Sequence, residues 1–289
     1  MARKRATLTD LLNDLTARII FDKFKLLACS AFEWEGLPDD IQSKHIEKLL
    51  FSYGKAIFFK DPAMSHMCLE AQDTGKFNVY QEPISYQAVG FQYMKEYNAD
   101  DCVIIQNNKL RLATEPFIMF YTSKLLEAER TMDVNVKACK TPYIFACDDK
   151  DVFTFKRIFQ EIDGNIPALF VDKGLNLDAI DVLQTNVPFL GNDLMDYKKS
   201  VENELLTFLG FDNVAVDKKE RVNVPEANSN NQIIHAFSEL QETARKEACK
   251  EINEMFGLNV SVRRMQLQEV ISNVDSSNIQ NNKGNNRAS

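Results

Sequence analysis

Several places in the chain set cations side by side, and the chemistry open to clustered lysine and arginine is contact with phosphate. Lys218 and Lys219 are adjacent, with Arg221 close behind, and Lys198 and Lys199 form a second pair upstream. A third cluster, Arg3, Lys4 and Arg5, opens the chain. In most proteins such clusters are solvated loops and arms; in a nucleic-acid-binding protein they are the phosphate contacts. The formal net charge is -8 and the pI about 5.1, which argues against a surface that coats nucleic acid indiscriminately. Any phosphate contact must be local and salt-sensitive.

Other chemistry is poorly provided for. The three histidines, His45, His66 and His235, are far apart, and none has the spacing of a metal-ligand pair. Asp39-Asp40, Asp100-Asp101 and Asp148-Asp149 fall at expected turns or helix starts, where acidic residues serve local structure. There is no phosphate-cradling G-x-x-x-x-G-K-[ST], no G-x-G-x-x-G and no G-x-S-x-G. No metal, cofactor or catalytic residue is expected. Six cysteines (Cys29, Cys68, Cys102, Cys139, Cys147, Cys249) lie scattered without a C-x-x-C pair. They read as reduced, mostly buried thiols of a soluble protein made in a cytosol. No apolar run approaches the roughly 20 residues that span a bilayer, so no membrane partner is expected.

The elements that must position the cations follow from periodicity. A helix is expected from Thr7 to about Phe32, with Leu8, Leu12, Leu15 and Ile19 on one face, and a second over Ile41 to Phe51. Residues 55–113 change character to a β-rich insert. In it Ala56 to Phe59 is a strand, and Asn107-Asn108 suits a hairpin between Cys102–Gln106 and Lys109–Ala113. Thr114 caps the next helix, Pro116 to Arg130. An αβ alternation is then expected: strand Tyr143–Cys147, helix Val152–Ile162, strand Ala168–Val171 and helix Leu177–Leu183. The helix Asn192–Leu209 carries Leu194, Tyr197, Val201, Leu205 and Phe208 on one stripe and is closed by Gly210. The Lys218 segment and an aperiodic Asn-rich run precede a helix of Ile233 to Phe256 and a strand of Leu258, Val260 and Val262. The tail from about Asp275 has the composition of a disordered segment.

Eight short stretches, in order over most of the chain, carry a resemblance. They are MARKR; Phe32-Glu33-Trp34-Glu35-Gly36-Leu37-Pro38; Phe59-Lys60-Asp61-Pro62; Lys140-Thr141-Pro142; Gly164-Asn165 with Pro167; Thr207-Phe208-Leu209-Gly210; Lys218-Lys219-Glu220-Arg221; and Glu247 through Val260. Together they resemble the head–tail connector (portal, or upper collar) proteins of small phi29-like podophages.

The resemblance implies an α+β portal-type fold, assembled as a dodecameric ring at the head–tail vertex of a virion and built in the cytoplasm of a bacterial host. Double-stranded DNA would pass its axial channel during packaging and ejection. It implies seven segments: a basic arm (1–6), a channel-wall helix with a short helix (7–54), a β-rich narrow end (55–113), channel-wall helices with a small αβ unit (114–216), a channel loop (217–231), a wide-end helix and strand (232–264) and a mostly disordered tail (265–289). Lys218, Lys219 and Arg221, with Lys198 and Lys199, would face the DNA. Arg3, Lys4 and Arg5 match the segment associated with packaging RNA, although fewer cations follow Arg5 here. The partners implied are further copies of the chain, viral DNA, major capsid and scaffolding proteins, a packaging ATPase, a lower collar or tail protein and a packaging RNA. A collar or scaffold protein without a channel, and a metal-dependent nuclease, are the competing readings.

Overall fold

The computed structural model describes residues 8–140, 143–146, 181–184, 188–211 and 224–266. In chain order these form α1 (Leu8–Cys29), β1 (Phe32–Glu35), α2 (Ser43–Tyr53), β2 (Lys55–Asp61), β3 (Ser65–Asp73), β4 (Ser85–Gly90), β5 (Tyr93–Asn98), β6 (Cys102–Gln106), α3 (Glu115–Lys140), β7 (Tyr143–Ala146), β8 (Asp181–Gln184), α4 (Gly191–Phe208), α5 (Val224–Phe256) and β9 (Ser261–Arg264). The mixed α+β class is as expected. The chain divides into two compact units, Met1–Glu127 with Lys198–Ser289, and Ala128–Tyr197.

The first unit is organised by β2. Its apolar run is buried on both faces, because successive side chains on a strand point to opposite sides. Ala56 and Phe58 enter one core with Ile46, Leu50, Ile118, Leu125, Val201, Leu205 and Ile252, while Ile57 and Phe59 enter a second with Ala71, Tyr86, Ala88 and Tyr97. β6 alternates in step, with Val103 and Ile105 in the first core and Cys102 in the second. The five strands run antiparallel in the order β5-β4-β3-β2-β6. Although β3 and β4 separate β2 from β5, the Phe59 ring lies 4.3 Å from that of Tyr97 and 5.9 Å from that of Tyr93. The sheet therefore curls round its second core.

Asp61 pins that curl. Its carboxylate accepts the backbone N–H of Ala63 at 2.9 Å and of Met64 at 3.3 Å, the Tyr93 hydroxyl at 2.9 Å, and the Tyr97 hydroxyl and Lys95 ammonium at 3.3 Å each. These bonds favour the charged form, the Ala63 amide most, and lower its pKa to about 2.

A two-stranded ladder, β1 with β9, joins distant parts of the chain, with Trp34 opposite Val262 and Phe32 opposite Arg264. Gly36 makes the approach possible: it has φ +72, and a Cβ there would lie 2.1 Å from the Asn259 carbonyl oxygen.

Several expectations are corrected. The first helix ends at Cys29, because Phe32–Glu35 is taken by β9. The hairpin at Asn107-Asn108 does not form: β6 pairs with β2, and Lys109–Ala113 is loop. There the Asn108 side chain accepts the Leu110 and Leu112 amides, and Asn107 holds Leu112 and Thr114. β3, β4 and β5 had no sequence counterpart. α3 continues ten residues past Arg130 to Lys140. α5 begins at Val224, so the Asn-rich run is helical. Ile233, Leu240 and Met255, expected inward, are exposed in the single chain; Ile234, Arg245 and Cys249 are buried instead.

In the second unit β7 and β8 pair antiparallel, which overturns the helix expected at Leu177–Leu183 over residues 181–183. A short apolar run is compatible with either periodicity, and here strand pairing decides. Asn135 on α3 donates to the Pro188 carbonyl at 2.8 Å and accepts the Leu190 amide at 2.9 Å, which sets the entry to α4. The helix Val152–Ile162 and strand Ala168–Val171 lie outside the described residues.

The depressed Asp61 pKa predicts acid sensitivity of a definite sign. Its contribution is fully present above the ordinary value of 3.8 and is lost as pH falls through about 2. Asp61→Asn should lower the melting temperature at pH 7 and remove part of the loss the wild type shows between pH 4 and 2, as followed by thermal melts across pH.

Candidate nucleic-acid interface

α4 is the described element that carries expected phosphate contacts. Val201 and Leu205 on its inner side are buried, Lys198 is half-buried and Lys199 exposed. Both lysines have partners within the chain. Lys218, Lys219 and Arg221 lie outside the described residues, as do Arg3, Lys4 and Arg5.

The point from which the Lys218 segment departs is nonetheless sharply defined. α4 ends in a Schellman turn: Phe211 N–H donates to the Leu206 carbonyl and Gly210 N–H to the Thr207 carbonyl, each at 2.9 Å. Gly210 has φ +74, a left-handed conformation that glycine adopts without strain. The Arg264 guanidinium, from β9, donates to the Leu209 carbonyl at 2.5 Å. A cation there also complements the negative end of the helix dipole. Phe211 is buried beside it, so the last residue before the segment is held in the core.

The other end of the segment leads into α5, whose placement depends on a buried ionic node that sequence reasoning missed. Arg245 and Glu47 are each 2 % exposed. The guanidinium makes a two-pronged pair with the Glu47 carboxylate, Nε to Oε1 at 2.9 Å and Nη2 to Oε2 at 2.7 Å. Nη1 donates to the Asn107 and Gln241 carbonyls at 3.1 Å, and Nη2 to Asn107 Oδ1 at 3.0 Å. All five N–H donors are thereby used. Glu47 also accepts the indole N–H of Trp34 at 2.8 Å, and the guanidinium lies 4.1 Å over the Phe32 ring. One cation thus ties α5 to α2, β1 and the loop after β6. A signal existed: an arginine one residue from the Ala244, Ala248 and Ile252 stripe needs a buried partner.

The remaining chemistry is quiet. Burial pushes the Cys29, Cys68, Cys102 and Cys249 thiols up to about 12, away from the reactive thiolate. His45 bonds the Cys68 carbonyl at 3.0 Å, and His66 stacks on Phe58. Asp39-Asp40 lie in an exposed turn and Asp100-Asp101 in an exposed 3-10 helix, Ala99–Asp101. Among the described residues no three His, Cys, Asp or Glu side chains are placed to hold a metal ion. Nor is any described helix long and apolar enough to cross a membrane.

A curled antiparallel sheet packed with helices and a β ladder joining residues 32–35 to 261–264 are elements of a phage portal fold. The portal of "Portal and tail of native bacteriophage P68" is similar over 96% of this chain and 99% of its own, at 16% identity and a TM-score of 0.50. An HK97 family phage portal protein from Corynebacterium diphtheriae is similar over 95% and 99%, at 10% identity and a TM-score of 0.44. The chain belongs to the Phage Connector (GP10) family, whose model matches residues 13–268, and it is accordingly a structural portal or connector protein and not an enzyme.

Removing one partner of the ionic node leaves the other charge buried and unpaired. Glu47→Ala should lower the unfolding free energy by about 3–5 kcal/mol, read from urea denaturation.

Proposed function

We propose that copies of this chain form a dodecameric ring around an axial channel, through which double-stranded DNA is packaged into the prohead and later ejected, and which joins head to tail. The observation that carries this reading is the family match across residues 13–268, which takes in every described element from α1 to β9 except the first residues of α1. Apolar exposure supports it: Leu15, Ile19 and Leu26 form an uncovered stripe on α1, with Phe117, Met119 and Phe120 exposed on α3. Such surface in one chain is what a neighbouring copy covers.

In this reading α1, α3 and α4 line the channel, the β2–β6 sheet forms the narrow end outside the capsid and α5 the wide end inside. A ring multiplies local charge. An acidic wall keeps phosphates from settling, and rings of Lys218, Lys219 and Arg221, with Lys198 and Lys199, give transient contacts that resist backward slipping. The Gly210 turn and buried Phe211 would start that segment at the same height in every copy. The ring has no motor of its own. A separate packaging ATPase docks at the narrow end, where Arg3, Lys4 and Arg5 meet a packaging RNA. Capsid and scaffolding proteins hold the wide end, and a lower collar or tail protein joins below at the virion vertex, all assembled in the host cytoplasm.

Negative-stain electron microscopy of the purified chain should show rings with a central hole; particles without one would favour the collar or scaffold reading. Lys218→Ala with Lys219→Ala should leave rings intact while packaged DNA is retained less well, measured as nuclease-protected genome per head. Unchanged retention would remove the lysines from the gating role.

A further inference from the structure

A groove of about 710 Å³ lies between α1 and α2, and its charge is unusual for so acidic a chain. Lys25, Lys44 and Lys48 line it beside Leu26, which is 47% exposed. Among the described residues, Lys44 and Lys48 have no ion-pair partner. Asp22 and Asp40 also line the groove, but Asp22 pairs with Arg18 at 3.6 Å. The cationic excess is therefore on α2.

The complementary surface is on α5. Glu247, Glu251 and Glu254 repeat at i, i+4 and i+7 and share one exposed stripe, with Met255 beside them at 42% exposed. At 100° per residue this stripe lies on the side of α5 opposite Arg245. Because Arg245 is locked to Glu47 on α2, the acids look away from their own α2 and cannot reach the cations of their own groove. The acids also repel one another: burial, then Glu247 and Glu254, raise the Glu251 pKa. Among the described residues Lys250 pairs only with Glu254, at 3.8 Å.

We propose that the α1–α2 groove receives the outer face of α5 from a second copy of this chain, with Glu251 and Glu254 against Lys44 and Lys48 and Met255 over Leu26. The proposal rests on the ring reading and deepens it by naming the two unlike surfaces that meet. Two unlike surfaces are what a closed head-to-tail ring requires, since each copy gives one and receives the other. An acidic helix face with an apolar residue suits this groove in charge and in its Leu26 wall, and it relieves the like-charge strain on α5.

Charge reversal tests it in the full-length chain. Lys44→Glu with Lys48→Glu, and separately Glu251→Lys with Glu254→Lys, should each give folded protein by circular dichroism whose ring fraction in native mass spectrometry falls at least tenfold. The four changes combined in one chain should restore rings to within twofold of wild type, and so should mixing the two double variants. Wild-type ring levels in either double variant, or a fourfold variant that stays unassembled, would overturn the proposal. So would Lys44→Glu with Lys48→Glu leaving rings unchanged but weakening duplex DNA or RNA binding, which would assign the groove to nucleic acid. A wild type that forms no ring at all would fail the ring reading first.

Discussion

The fork of Arg245 on the carboxylate of Glu47 is the constraint from which the rest of the first unit takes its geometry. A planar guanidinium has a fixed set of donor directions, and all of them are taken here, by Glu47, by Asn107 and by the Gln241 carbonyl of its own helix. Taking two charges out of water is costly, and a buried pair of this kind is worth more as a specifier of arrangement than as a source of stability. A one-residue slip of α5 would turn Arg245 by about 100° about the helix axis. That would leave a buried carboxylate and two Asn107 oxygens without their cation. The rotation of α5, and with it the direction its acidic outer face looks, is thus set from within.

The same node reaches the sheet and the third helix through one asparagine. Asn107 gives its carbonyl and side-chain oxygen to Arg245, and its side-chain amide to Leu112 and to the Thr114 hydroxyl at the start of α3. Its own N–H donates to the Gly54 carbonyl, where α2 hands over to β2. Helix, strand and loop ends that are far apart in the chain are therefore spaced by bonds to a single residue. β2 then carries that placement through the body, because its two faces belong to two cores.

What was legible in the sequence is what depends on near neighbours. The extent of α4 and its stop at Gly210 follow from a stripe of apolar residues and a glycine suited to positive φ, and the Ala56–Phe59 run announces a strand buried on both sides. What was not legible depends on partners distant in sequence. Phe32 reads as the end of a helix, and Phe32–Glu35 becomes a strand only because residues 261–264 lie beside it. Cys102–Gln106 was readable as a strand, but its partner β2 was not, since Asn107-Asn108 advertises a local hairpin. β3 to β5 carry charged and polar residues that hide their alternation. Of the expected site, α4 and its lysines fall within the described residues, while Lys218, Lys219 and Arg221 rest on family resemblance. The ionic node escaped notice because Glu47 and Arg245 look like ordinary surface residues until their helices are put together.

The β1–β9 ladder carries a consequence for how a subunit comes into being. Phe32 to Glu35 find their partner strand only in residues 261–264, and the cation for Glu47 arrives only with residue 245. While the chain emerges from the ribosome, the early helices and the curled sheet can form, but the first unit has no complete core until synthesis passes β9. Contacts of such long sequence separation also make folding slow. A nascent chain therefore has no settled α5 until synthesis has passed β9.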